Sequence, residues 1–384
     1  MTSLLPKPKV IALGGAGIKI ATRLRDGPLQ DFDIQGFDLI ATPAPFDVFS
    51  IGGGNLEFFG SGGDPEVTLR AAGEKKAEIE AKLQGTSLIF IIAGLGGGTA
   101  SALAPMIAEA AVRAGALVFA FVSLPFSIEG TRRASQAKEA MSALRQSGAV
   151  VIPLPNDILL RWAPEGSTAT HAIELADKNI GKGIRGLTAM IYTPGLLEVD
   201  FESIKRTFSQ SKNAKTIFSF GEGYGAGALT QVYSELTSCP LLQAAEVARS
   251  ADHMVLSIKV SGDIGLKEVN QLTQQLAEKF GIRNEKIVGA VVSTDWNEPR
   301  IEAVFIGQPD LETRRKQSAA LQSATLATKA SRQKPEAQVN PQTEFSFNTL
   351  LEQRGFFENT ELNLYRGEDV DVPTYLRRSI KVQL

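Results

Sequence analysis

The sequence predicts an α/β fold built on a parallel sheet covered on both faces, followed by a long helix and a smaller α+β domain. Three observations carry this. Through the first half, continuous apolar runs alternate with stretches of helical period, as strands buried on both faces require. Glycines cluster directly after two of those runs, where open parallel sheets bind ligands. After Pro194-Gly195 the pattern changes to strands separated differently from those before.

The expected strands of the first part are Val10–Leu13, Leu39–Ala41, Leu88–Ala93, Leu117–Leu124 and Val150–Leu154. Helical stretches lie between most of them, at Glu66–Leu83, Ser101–Arg113 and Arg132–Gln146. A long helix follows, from about His171 to Met190. In the second unit Ile217–Phe220, Met254–Val260, Ile287–Val292 and Ala303–Ile306 read as strands, with helices near Leu242–Ala251 and Lys267–Phe280. From Pro309 the composition turns to Gln, Ser, Thr, Ala and Lys, the signature of a flexible linker. The expected divisions are therefore a first domain at 9–168, a central helix and connection at 169–195, and a second domain at 196–308. A linker at 309–368 and a short terminal peptide at 369–384 complete them.

Composition narrows the function classes. The chain has 384 residues, 43% hydrophobic, enough for a substantial core. A net charge of −2 gives no electrostatic pull toward nucleic acid. Cys239 is the one cysteine, and His171 and His253 are the two histidines, so no zinc–cysteine cluster or histidine-rich metal site is expected. No apolar run approaches the ~20 residues of a membrane span, and the first nine residues lack a signal-peptide core. A cytoplasmic protein is the expectation.

The chemistry concentrates at Gly94-Leu95-Gly96-Gly97-Gly98-Thr99-Ala100-Ser101. A strand runs into glycines and then into a helix N-terminus, whose backbone N–H groups lack partners and carry partial positive charge. Glycines let that backbone approach an anion, and Thr99 and Ser101 add hydroxyls: a phosphate cradle. The P-loop pattern GxxxxGK[ST] is absent. The first glycine turn, Gly14-Gly15-Ala16-Gly17-Ile18-Lys19-Ile20, has Ile20 where a dinucleotide fingerprint needs glycine, and residues 41–45 offer no acid for a ribose.

Six segments, in order and at matching spacing, resemble the tubulin/FtsZ GTPase family. The glycine-rich loop is similar to its GGGTGTG signature. Gly60-Ser61-Gly62-Gly63-Asp64-Pro65-Glu66 resembles its GAGANPE loop, and Pro125 to Arg133 its PFxFEGxRR segment. Pro155-Asn156-Asp157 resembles its IPND turn, and Pro194 to Phe201 its PGLINLDF segment. Asp371-Val372-Pro373-Thr374-Tyr375-Leu376-Arg377-Arg378 resembles the DIPxFLRR tail of FtsZ, which favours FtsZ over tubulin. The resemblance implies a Rossmann-like nucleotide-binding sheet, a long central helix and a smaller α+β domain. It implies GTP/GDP as ligand, Mg²⁺ as its ion, and self-assembly into head-to-tail filaments in bacterial cell division. It also implies a membrane-tethering division protein as partner of the tail, through Asp371, Pro373, Tyr375, Leu376, Arg377 and Arg378.

Roles follow by resemblance. Gly14, Gly15 and Gly17 approach the phosphates, Gly96, Gly97, Gly98 and Thr99 hold them, and Thr42, Gly62 and Gly63 belong to neighbouring phosphate loops; Lys19, where the family has asparagine, would meet phosphate charge. Pro125 shapes the sugar pocket, and Glu129 and Arg133 contact the ribose. Asp177 accepts two N–H bonds from guanine, and Ile173 stands where an aromatic often stacks on the base. Asp200, with Glu198 and Glu202, reaches into the next subunit to position the attacking water.

Several positions depart from the pattern. Ala100 replaces a signature glycine and would crowd a phosphate or strain the backbone if φ is positive there. Pro43 and Pro45 stiffen the loop around Thr42. Glu198 and Ser203 replace the asparagine and second aspartate of the NxDxxD loop. Phosphoryl transfer depends on positioning, so the expectation is retained GTP binding with slower hydrolysis than the family norm. Two alternatives stand beside it: a nucleotide-binding scaffold with little turnover, and a dinucleotide oxidoreductase, which Ile20 disfavours.

Overall fold

The computed structural model describes residues 6–53, 60–159, 166, 168–210, 215–244, 251, 253–282, 285–308, 364–365 and 368–369. Two compact units emerge, Met1–Ala320 and Leu321–Leu384. The tail positions from Asp371 to Arg378 lie outside the described residues, as does most of the expected linker.

The first unit opens with β1 (Lys9–Leu13), α1 (Gly14–Arg25), β2 (Asp33–Asp38), β3 (Asp47–Ser50), α2 (Pro65–Glu74), α3 (Lys76–Leu83) and β4 (Leu88–Gly94). Then come α4 (Gly98–Arg113), β5 (Leu117–Leu124), α5 (Thr131–Gln146), β6 (Val150–Pro155) and the short α6 (Asn156–Leu159). The six strands form one parallel sheet in the order β3-β2-β1-β4-β5-β6. The order reverses between β1 and β4, so the loops leaving those strands diverge and open a crevice at their carboxyl ends. β4 reads Leu-Ile-Phe-Ile-Ile-Ala-Gly and is buried almost throughout, which a strand covered on both faces demands.

The second strand is a correction. Leu39–Ala41 was the expected strand; the structure has β2 at Asp33–Asp38, with Leu39 already in the loop. Gln35 and Asp38 interrupt the apolar run, yet both are buried and hydrogen-bonded, so polarity concealed the strand. The expected helix Glu66–Leu83 is two helices that break at Lys75. Asp64 caps the first by accepting the Glu66 N–H, and Pro65 opens its first turn.

The central helix α7 (Ala169–Tyr192) is longer than expected. Thr168 caps it by accepting the His171 N–H at 3.2 Å. Ala172, Ala176, Ile180, Ile184, Leu187 and Met190 recur at helical spacing and are buried. This stripe joins one core shared by both halves, where Phe121 of the first sheet meets Phe218 of the second edge-on at 5.5 Å. The opposite face of the first sheet is closed by α2 to α5.

Past α7 come α8 (Phe201–Gln210), β7 (Ile217–Tyr224), α9 (Ala228–Ser238), α10 (Leu241–Ala244), β8 (His253–Ser261), α11 (Leu266–Lys279), β9 (Lys286–Ser293) and β10 (Arg300–Gln308). The second sheet is ordered β7-β10-β8-β9, with β10 antiparallel to both neighbours and β8 parallel to β9. In the second unit the described residues form one antiparallel pair, β11 (Leu364–Tyr365) with β12 (Glu368–Asp369), within the segment read as linker.

Candidate functional site

A cleft of about 310 Å³ occupies the crevice between the β1 and β4 loops. Gly14, Gly15 and Ala16 come from the start of α1, Gly94, Leu95, Gly97, Gly98, Thr99 and Ala100 from the β4 loop and α4, and Pro125, Glu129 and Arg133 from the β5 loop and α5. Ser123 and Asn156, to which the sequence reading assigned no role, line it too.

The local conformation explains this arrangement. Helix α4 begins inside the glycine run, with Gly97 as its N-cap, so its unpaired N–H groups end at the cleft. Gly96 has φ +98°, and a side chain there would approach the Arg133 carbonyl and Pro125 ring. The Ser101 hydroxyl accepts the Gly96 N–H at 2.9 Å inside the protein, which shapes the loop, and Ser101 is not among the residues lining the cleft. The loop of Ser61 to Asp64 packs on Gly98, where a Cβ would lie 2.2 Å from Ser61 Oγ. Gly63 accepts from Gln136 at 3.0 Å and Arg132 at 3.4 Å, which ties the loop of Gly62 and Gly63 to α5. Neither Gly62 nor Gly63 is among the residues lining the cleft.

At the other wall, Glu129 accepts the Phe126 N–H at 2.8 Å and pairs with Arg133 at 2.5 Å. Both sit at the opening, one acceptor set and one donor fork side by side.

Ala100 forces no strain. It lies in the first turn of α4, 4% exposed and helical, while Gly14 opposite takes φ +65°. Gly17 faces away from the cleft: a Cβ there would sit 2.3 Å from the Ile92 carbonyl, so this glycine seats α1 on β4. Lys19 is exposed, one turn past Gly15, and does not line the cleft. The Thr42 hydroxyl donates to Asp38 at 2.8 Å and is thereby occupied.

Asp177 also differs from expectation. It is 4% exposed, and Arg23 from α1 donates both Nε and Nη2 to its Oδ2 at 2.5 Å. Arg23 thus already occupies Oδ2, and Asp177 is not among the residues lining the cleft. Burial pushes its carboxyl above the usual range, and Arg23 pulls it back. Arg23 carried no sequence signal, because only the packing of α1 on α7 brings it to Asp177.

Glu198, Asp200 and Glu202 are exposed and none lines the cleft of its own chain. Asp200 caps α8: its Oδ2 accepts the Ser203 hydroxyl and N–H, each at 2.9 Å. Those bonds hold its carboxyl below the ordinary value, so it is ionised. Asp38, missed with its strand, ends β2 buried beside this site.

An open doubly wound sheet with glycine loops from separate strands at its switch point is the arrangement in which such folds bind phosphates. Residues 7–164 match the family model described as Tubulin/FtsZ family, GTPase domain. The whole fold is that of FtsZ structures. FtsZ from M. jannaschii, described as an empty dimer, is 25% identical with a TM-score of 0.67, covering 80% of this chain and 89% of that one. CetZ2 from Haloferax volcanii, described as a GTPgS bound protofilament, is 19% identical with a TM-score of 0.62, covering 83% and 100%. CetZ from Methanosaeta thermophila is 16% identical with a TM-score of 0.63, covering 86% and 94%. Among the described residues no helix is long and apolar enough to cross a membrane.

Proposed function

We propose that this protein binds GTP and GDP in the cleft, assembles head-to-tail into filaments, and hydrolyses GTP at the contact between subunits. One observation carries the reading: Gly14, Gly15, Gly97, Gly98, Thr99, Glu129 and Arg133 line one cleft, yet the acids Glu198, Asp200 and Glu202 stand exposed outside it. Acids so placed serve the cleft of the next copy, and a head-to-tail contact does not close. Gly14, Gly15, Gly97, Gly98 and Thr99 would face the phosphates, and Glu129 and Arg133 the ribose. Asp200, ionised and exposed, would orient the attacking water from the neighbouring subunit.

Mg²⁺ would suit such a site as a hard ion that takes oxygen ligands. Among the described residues no group of carboxylates, thiols or imidazoles would hold a metal alone, so phosphate and water would supply most of its ligands. When bound it would offset phosphate charge. The terminal peptide at Asp371–Arg378 would dock on a membrane-tethering division protein, in a cytoplasmic role at the division site.

A second reading, a filament scaffold with little turnover, has its own support. Ser203, in place of the second aspartate, occupies one oxygen of Asp200. Sedimentation with Mg²⁺ and GTP, GDP, ATP or a non-hydrolysable GTP analogue, with phosphate release read in the same tubes, separates the two. Assembly with GTP and phosphate release supports the filament GTPase. Assembly without release supports the scaffold, and absence of guanine-nucleotide binding overturns both.

A further inference from the structure

We infer that the groove between α4 and α5 is a docking site for a helical segment of a partner protein, apolar along one side and flanked by lysine or arginine. It stands apart from the nucleotide reading above. Helix α4 sends Ala100, Leu103, Ala104, Ile107, Ala108 and Ala111 into the core on one face of the first sheet. A helix in an outer layer ordinarily carries polar residues on the side opposite its core stripe. By helical spacing Ala102, Pro105 and Met106 stand there instead, followed by Glu109. With Leu69 of α2 and Ala140 and Ala143 of α5 they line an open groove of about 700 Å³. It shares no lining residue with the cleft.

Shape and charge both restrict the occupant. Ala102, Ala140 and Ala143 are short, so the floor lies deep between two helices, the geometry that admits the ridge of a third. Leu69 is 39% exposed and Met106 half-buried, apolar surface that a partner would remove from water. Pro105 lies inside α4 and has no N–H, so the carbonyl of Ser101, which also lines the groove, lacks its ordinary helical donor. The charged residues of the lining are Glu109 and Glu139, one from each helix and both exposed. No lysine, arginine or histidine lines the groove, and neither glutamate belongs to an ion pair among the described residues. An apolar segment carrying acids is repelled at this rim, while one carrying cations is attracted and oriented. The complement is a helix with apolar side chains at i, i+3, i+4 and i+7 and basic residues at its margins.

The test is calorimetry of the full chain with two synthetic helical peptides of about 15 residues. Both carry leucines at i, i+3, i+4 and i+7; one is flanked by lysines, the other by glutamates. Wild type is expected to bind the lysine peptide saturably and the glutamate peptide at least about tenfold more weakly. Glu109→Lys together with Glu139→Lys is expected to reverse that order. Ala143→Trp, which fills the groove, is expected to weaken the lysine peptide by about tenfold or more. A thermal melt checks its fold, and the surface charge-reversal pair carries the readout if the tryptophan variant fails to fold. Absence of binding, equal affinity for the two peptides, or undiminished lysine-peptide binding in folded Ala143→Trp overturns the inference. Self-association of wild type without peptide or nucleotide that Ala143→Trp abolishes assigns the groove to a second copy. Tighter binding of a peptide of residues 374–384 assigns it to the chain's own terminus. Either of these overturns a separate partner.

Discussion

The cleft and the acid-bearing segment of residues 196–203 are built on opposite plans. The cleft is made largely of backbone: α4 starts inside its own glycine run, and buried contacts such as Ser101 to Gly96 hold the loop in shape. The acid-bearing segment presents side chains on an exposed edge, with Leu196 42% and Leu197 37% exposed beside Glu198 and Asp200. A preorganised cradle needs nothing from outside to form. Exposed acids and leucines acquire a task only when another surface meets them. On the proposed reading, binding is a property of one chain, while hydrolysis belongs to a pair.

The sharpest way to break that contrast is Asp200→Ala. Phosphate release should fall by about three orders of magnitude, with GTP affinity of the unassembled chain unchanged. A parallel loss of affinity would mean that the segment serves its own cleft. Next is Gly17→Ala, which places a methyl against the β4 backbone. It should destabilise the fold by about 3 kcal/mol in urea unfolding, because neither α1 nor β4 can yield cheaply. A normal midpoint would show that α1 is not seated there.

Arg23→Ala should cost about 2 kcal/mol, less than a fully buried pair because Arg23 is partly exposed. Its pH signature has a definite sign. The folded value of Asp177 lies above 3.8, so the folded state binds its proton more tightly. This group's contribution falls as pH rises from 3.8 through the folded value, against Arg23 on α1 and Glu174 on its own helix. Removing Arg23 raises that value further and extends the decline to higher pH, which melting temperatures across an acid series would reveal. The smallest effect expected is Arg133→Ala. Its partner Glu129 is four residues away at the surface, so stability should change by less than about 0.5 kcal/mol. Nucleotide affinity, measured by the same calorimetry, should fall about tenfold if Arg133 meets the ribose.

Much of this protein was legible as sequence. The strands β1, β4, β5 and β6 are continuous apolar runs, because a sheet covered on both sides leaves no face for polar residues. The glycine run before Thr99 foretold a strand-to-helix turn, and in the structure it opens α4 at the cleft wall. The helical period of α7 foretold the stripe that joins the two halves.

Tertiary structure alone decided the rest. β2 hid behind Gln35 and Asp38, whose polarity is satisfied by partners such as Asp47 and Thr42, distant in sequence or unpredictable in geometry. Gly17 and Gly14 belong to the same glycine run, yet one seats a helix and the other lines the cleft, according to the direction each faces on α1. Asp177 met Arg23 because α1 packs on α7 across 154 positions of chain. Local pattern specifies which elements form, since burial and period are written residue by residue. Which side chains share a buried charge is set only when those elements meet.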